Sequence, residues 1–322
     1  MPSYLGSVVH VDRPLSQFAL TYQNHKLIAD SLAPIALVED ISDLYFVRPI
    51  ANKIRAQSPK IGLLDVAPEI ETNVTTNSYK CQNYGYIAKT AVQSEKAADV
   101  PLNIKQDAAM DCTDQLWLAR EVRVASLLTT SGNYASANVQ TLVGGTQWNA
   151  ATGAGDIFGN FETALGLVQP APNSKLVAWM GYAVWQQIKN HPAVLDRVKF
   201  GGNNANPALT RMQALAEVIE VDEVVVGKAW QIATNPGQAN AQTRVWGKHA
   251  GIVAVPQYPS TRSLGFAQTF RWNQVGPSGV AIQTWYEPAP GLLGVNKYKV
   301  VHSDHEVIPA NDAGSLILNA VA

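Results

Sequence analysis

Charge is what this sequence has least of. Only 15% of its 322 residues are Asp, Glu, Lys or Arg, against roughly 25% in a typical soluble domain. The remaining polarity comes from Asn, Gln, Ser and Thr. A lone subunit so poor in charge has little to keep its surface solvated. That fits a surface covered by neighbouring subunits and, equally, a neutral-surfaced enzyme. The net charge is −1, so no basic field exists to hold nucleic acid phosphates. Two cysteines, Cys81 and Cys112, exclude a disulfide framework and fit a reducing compartment. No stretch approaches the ~18 apolar residues of a membrane helix. The opening "MPSYLGSVVHVDRPLSQF" lacks the charged start and apolar run of a signal peptide. The length accommodates one domain or two.

Residues 1–35 read as an extended arm punctuated by Pro2, Pro14 and Pro34, with a short helical possibility near 24–33. Residues 58–92, rich in Thr, Val and Tyr with Asn-rich turns, read as a long two-stranded excursion. An isolated hairpin is marginal in water, so this one needs a surface to lie on. Residues 106–132 give the strongest helix signal. Ala109, Cys112, Leu116, Ala119, Val122, Ala125 and Leu128 repeat at three- and four-residue steps, acids crowd the start, and Arg120 and Arg123 follow. Such a helix spans roughly 40 Å and suits a spine. A second helix is predicted over "PNSKLVAWMGYAVWQQIKN", capped by Asn173 or Ser174, with the stripe Val177, Met180, Val184 and Ile188. A third is predicted over 207–218. Strands follow in "VDEVVVGKAWQIA", "VWGKHAGIVAVP", "GFAQTFRWN" and "GVAIQTWYEP" and in the C-terminal stretch.

Candidate chemistry is sparse. In "NHPAVLDRVKF", His191, Asp196 and Arg197 stand close in sequence. Pro192 ends one helix and opens the next, however, so His191 reads as a boundary and Asp196 and Arg197 as an outer face. The loop 144–160, with Gly153, Gly155 and Gly159, lacks the feeding strand and the Lys-Ser/Thr pair of a phosphate loop. The cluster His302, Asp304, His305 and Glu306 sits in strand-like sequence, where residues three apart face opposite sides. Trp230, Trp246, Trp272 and Trp285 read as core. No residue is assigned a catalytic, cofactor-binding or metal-ligating role, and no cofactor is expected.

The order and texture of these segments resemble the major capsid proteins of tailed bacteriophages, with the Hong Kong 97 fold. "ALVEDISDLYF" followed by "VAPEIETNVTTNSYKCQNYGY" is similar to the entry of the extended loop, and "DAAMDCTDQLWLAREVRVASLLT" to the spine helix. "PNSKLVAWMGYAVWQQIKNHPAVLDRVKFG" and "LTRMQALAEVIEVDEVVVGKA" resemble the axial domain, and "VWGKHAGIVAV" and "FAQTFRWN" the closing sheet. The resemblance implies an α+β fold with an N-terminal arm at 1–35, an extended β-hairpin loop at 58–92 and a peripheral domain at 36–57 and 93–164 carrying the spine helix 106–132. It also implies an axial α/β domain at 165–262 and a return through the peripheral sheet at 263–322. The implied function is a structural one: hexamers and pentamers of this chain forming the icosahedral head of a double-stranded DNA phage. Assembly would take place in the host bacterial cytoplasm, without a membrane. Scaffold, portal and decoration proteins would be partners, and packaged DNA would be contacted non-specifically. Some such shells are crosslinked between a loop lysine and a neighbour's asparagine. Lys60, Lys80 and Asn273 could supply those parts, but no activating acid is evident, so no crosslinking is expected. The alternatives are an encapsulin-like compartment shell and a cytoplasmic α/β enzyme.

Overall fold

The computed structural model of the chain describes residues 10–11, 27–47, 59–61, 66–67, 69, 75–97, 103–150, 155–169, 173–194, 207–234 and 237–322. Along the chain these form β1 (His10–Val11), α1 (Ala29–Leu32), β2 (Ile35–Val38), β3 (Ser42–Val47), β4 (Thr75–Lys80) and β5 (Gln82–Ala91). The helices α2 (Val92–Ala97) and α3 (Ile104–Thr129) come next, then β6 (Val139–Thr141), α4 (Ile157–Leu167), β7 (Ser174–Gly181), α5 (Tyr182–Ile188) and α6 (Pro207–Ile219). The remainder is β8 (Glu223–Gly227), β9 (Trp230–Ile232), β10 (Gln242–Arg244), β11 (Ala250–Pro256), β12 (Gln268–Trp272), β13 (Val280–Glu287), β14 (Val295–Val307) and β15 (Gly314–Leu318).

Two sheets carry the molecule. In the six-stranded sheet the long strand β14 is central. Its residues 295–304 pair with β5 on one edge, and on the other edge β13 and then β12 pair along it. β1 extends this sheet beyond β13, and β2 runs parallel to β12. The five-stranded sheet has the order β6-β15-β11-β7-β8. Every residue of β11 is buried. Ile252 packs on one side with Phe161, Val184, Ile188 and Leu215 from α4, α5 and α6, and Val253 packs on the other with Trp246 and Leu128. A strand covered on both faces needs no alternation, which is why "AGIVAVP" is apolar throughout.

The long helix α3 joins the sheets. Asn103 caps it by accepting from the Gln106 amide, and at ~1.5 Å per residue its 26 residues span about 39 Å. Its first half, through Ala109, Cys112 and Leu116, packs on Val280, Ile282 and Val300 of the six-stranded sheet. Its second half, through Val124, Ala125 and Leu128, enters the core beside the five-stranded sheet.

Several expectations are corrected. The helix predicted from residue 174 is a strand until Gly181 and a helix only from Tyr182 to Ile188. The Val177–Met180–Val184–Ile188 spacing fits a helix, but β7 lies between β11 and β8 and is buried on both faces. The α3 stripe is also displaced. Ala119 and Val122 are only half-buried, whereas Arg120, Glu121 and Val124 are fully buried. The two strands of 58–92 do not pair with each other. β4 pairs with β3 and β5 with β14, with Cys81 between them, its amide bonded to Ile41 O at 2.8 Å. The last part of the expected arm is core: Ile28, Ala29, Leu32 and Ala33 are all buried. Finally, the expected loop 144–160 ends inside α4, whose Asp156 cap accepts from the Gly159 amide at 2.9 Å. Most of 1–26 and of 48–74, together with Asp196, Arg197 and Gly153, lies outside the described residues.

Candidate functional site

The densest polar arrangement is a buried junction where α3 meets both sheets. Arg120 and Glu121, adjacent on the helix, are 2% and 0% exposed. Glu121 accepts from the Ala29 amide at 2.8 Å, the Ile28 amide at 3.0 Å and the Trp246 Nε1–H at 2.6 Å. Arg120 pairs with Asp30 and donates to Ala33 O at 3.0 Å and Thr269 Oγ1 at 3.1 Å. Its Nε lies 3.8 Å from Asp304. Arg271 grips Asp304 with two bonds of 2.7 Å. One turn along the helix, Arg123 meets Glu306 at 3.0 Å and covers the Tyr84 ring at 3.7 Å. In the other direction Trp117 stacks on His302 at 5.6 Å. Helix residues 117, 120 and 123 thus face strand residues 302, 304 and 306, one partner for each.

The electrostatics are those of a closed ion network. Burial pushes the Asp304 carboxyl up, but the Arg271 hydrogen bonds and charge outweigh it and hold the group below the ordinary range. Burial, helped by the surrounding arginines, drives His302 down to about 3 against the pull of Asp304, so its ring is neutral at physiological pH. Burial also raises Glu121, against the bonds from Ile28, Trp246 and Ala29 and the charge of Arg120. Both cysteine thiols are pushed up by burial, Cys81 to about 11, which makes them poor nucleophiles. A cleft of about 940 Å³ flanks the junction, bordered by Asp30, Trp117, Arg120, Lys175 and Glu223. Its charged residues are largely committed to one another: Arg120 to Asp30, and Lys175 to Glu223 at 2.7 Å.

The residues singled out by sequence fall apart as a site. His302 and Asp304 are buried on the helix side of β14, while His305 points to the opposite side and its Nδ1 lies 2.9 Å from Lys80 O. Among the described residues no group of three metal-ligating side chains forms. The His191 amide bonds to Ile188 O at 3.1 Å just past α5, as a boundary residue would. Trp246 is core as expected, but Trp230 is 49% exposed. Sequence reasoning missed the junction itself. Its signal was present, because Arg120 sits four residues from both Leu116 and Val124, inside the apolar stripe.

The second feature is exposed apolar surface. Val66 and Leu292 are 87% and 85% exposed, and Leu44, Ile87, Trp230 and Ile232 are each close to half exposed. The sequence is 26% identical over 313 residues to a major capsid protein of Pseudomonas phage JBD67, covering 97% of both chains. The chain is a homologue of phage major capsid proteins. A major capsid protein of Burkholderia phage BcepMu is 23% identical and covers 76% of each chain. No family model matches. In fold, the chain is similar to a phage-related protein from Bordetella bronchiseptica RB50, with a TM-score of 0.72 and 20% identity over 96% of this chain and 97% of that one. The capsid of cyanophage P-SCSP1u follows at 0.57 and 11%, covering 99% and 92%. The SrpI encapsulin of Synechococcus elongatus PCC 7942 gives 0.52 and 10%, covering 96% and 95%.

Proposed function

We propose that this chain is the structural subunit of a phage head shell, built on the Hong Kong 97 fold and playing no enzymatic role. The observation that carries the reading is similarity to a phage major capsid protein along 97% of both chains. The molecule's own features support it: a spine helix joining two sheets, polar clusters that close on themselves, and apolar side chains left outside. In this reading residues 1–35 begin as an arm, 36–57 and 93–164 form the peripheral domain, and 58–92 contain the extended loop. Residues 165–262 form the axial domain, and 263–322 return through the peripheral sheet. Copies associate as hexamers and pentamers around packaged double-stranded DNA, which they contact without sequence preference. Scaffold, portal and decoration proteins join them during assembly in the bacterial cytoplasm.

Negative-stain microscopy of the purified chain tests the reading. Closed shells, or ring-shaped capsomers that close on addition of scaffold, are the expected result. A small oligomer that forms neither would refute it. The fold likeness to an encapsulin keeps a cargo compartment as a second reading. Particles that enclose an enzyme in place of nucleic acid would favour that one.

A further inference from the structure

One carboxylate holds three separate parts of the molecule together. Glu121 Oε1 accepts from the Trp246 Nε1–H at 2.6 Å and from the Ile28 amide at 3.0 Å. Its Oε2 accepts from the same Ile28 amide at 3.1 Å and from the Ala29 amide at 2.8 Å. All of these partners are N–H groups, which donate and cannot accept. The arrangement therefore requires the charged, acceptor-only form of the side chain. A neutral Glu121 carries an O–H that has to donate, and none of its hydrogen-bond partners is an acceptor. Because the group is wholly buried, one of the donors has to give way.

The donors are not held equally. Trp246 is fully buried, packs at 5.2 Å on Trp179 of β7, and lies against Gly227 of β8, where a Cβ would collide with its ring. Ile28 and Ala29 stand at the start of α1, a helix of four residues, too short to persist without outside bonds. No side chain of its own segment caps α1. Glu121, 92 residues from Ala29 in the chain, does so instead. At the other end Arg120 holds Ala33 O at 3.0 Å and pairs with Asp30. Ile28, Ala29 and Glu121 also border the cleft beside the junction, so water can reach the two amides once the carboxylate releases them. The start of α1 is the part that yields, pivoting about its Arg120 end.

We propose that Glu121 is a proton-operated latch: its protonation in mild acid frees the start of α1 from the long helix α3 while both sheets stay folded. The charged groups around it are Arg120 on its own helix, Asp30 on α1, Arg271 on β12 and, across the cleft, Lys175, Glu223 and Lys228. Arg120 is paired with Asp30, Arg271 with Asp304, and Lys175 with Glu223. Burial lifts the Glu121 carboxyl above its ordinary 4.5, against the bonds from Ile28, Trp246 and Ala29 and the charge of Arg120. His302, at about 3, and Asp304, held below its ordinary 3.8, keep their charge states at pH 4.5. The folded subunit takes up the Glu121 proton before those two groups titrate. A carboxyl raised on folding adds stability as pH falls through its folded value, so the opening is local and the fold persists.

Hydrogen exchange on the full chain, corrected for the intrinsic pH dependence of exchange, reads the latch. Between neutral pH and 4.5 the amides of Ile28 and Ala29 should lose protection by about tenfold or more, while those of β11 keep theirs. The loss should share one midpoint with the titration of the Glu121 carboxyl carbon resonance, and the Trp246 indole N–H resonance should move with it. Glu121→Gln, which offers one acceptor oxygen and a donor group as the neutral acid does, should be open at neutral pH and respond no further to acid. Protection at Ile28 and Ala29 that acid leaves unchanged overturns the proposal. So does a loss that Glu121→Gln shows with the wild-type midpoint, or one that spreads to β11. If Glu121→Gln does not fold, the wild-type resonances decide, and a midpoint for the two amides apart from that of the carboxyl contradicts the latch.

Discussion

The two sheets are held by different physics. Around β11 the five-stranded sheet is apolar on both faces, with Ile252, Val253, Trp179 and Leu316 wholly buried. Under α3 the six-stranded sheet buries Arg120, Arg271, Asp304 and His302 in a single network. Apolar burial is non-directional and roughly proportional to area. A buried ion network stabilises only when every partner is in place, and it fixes a particular arrangement. The first block is therefore complete and forgiving. The second pins the segment at Ile28–Ala33, the helix and two strands into one register, and on its outer face Ile87 and Lys89 are exposed.

Removing one partner from the network should have the largest effect. Asp304→Ala leaves Arg271 buried without its carboxylate and takes away the Arg120 contact, at a cost of about 3–5 kcal/mol. Chemical denaturation would measure it, and a loss under 1 kcal/mol would show that water or a rearranged side chain replaces Asp304. In the apolar block, Ile252→Val should cost only about 0.5–1.5 kcal/mol by the same assay, since one methylene leaves a small cavity. Equal losses from the two changes would erase the contrast.

Acid should separate the blocks as well. The His302 pKa is lowered from 6.5 to about 3 on folding, so the unfolded chain binds the extra proton first. That contribution is complete above pH 6.5 and is lost as pH falls toward 3. Asp304, also lowered, adds to the loss at the acid end. Glu121, raised, works the other way, its contribution fading as pH rises through its folded value. Replacing His302 by Phe should flatten the decline between pH 6.5 and 4 in a melting-temperature series; an unchanged slope would place the sensitivity elsewhere. The smallest effect belongs to His191→Gln, within about 0.5 kcal/mol and without change in assembly, because a boundary residue contributes little.

How much of this was legible in the sequence follows the range of the interactions. The spine helix was readable because its apolar steps are local, and its bounds shifted only to Ile104–Thr129. β11 to β15 were readable from apolar runs and turn residues. β7 was not, since the apolar run 176–181 between two strands carries both periods at once, and the left-handed Asn173 before it looked like a helix cap. The partners of β4 and β5 lie as far away as residues 42–47 and 295–304, a pairing that no local pattern encodes. Arg120 was read only as a charge favoured by the helix dipole, and Glu121 was not singled out, because charges are seldom buried. Only the fold brings Asp30, Trp246 and Asp304 to them.

The central claim is that one part of the subunit is finished and another is finished by its neighbours. Hydrogen exchange on dissociated subunits against intact particles tests it most directly, read separately for residues 61–74, 82–91 and 174–181. The account predicts that the first two segments gain protection on assembly, the outward amides of β5 included, while β7 is protected in both states. Full protection of 61–74 and 82–91 in the isolated subunit would contradict it.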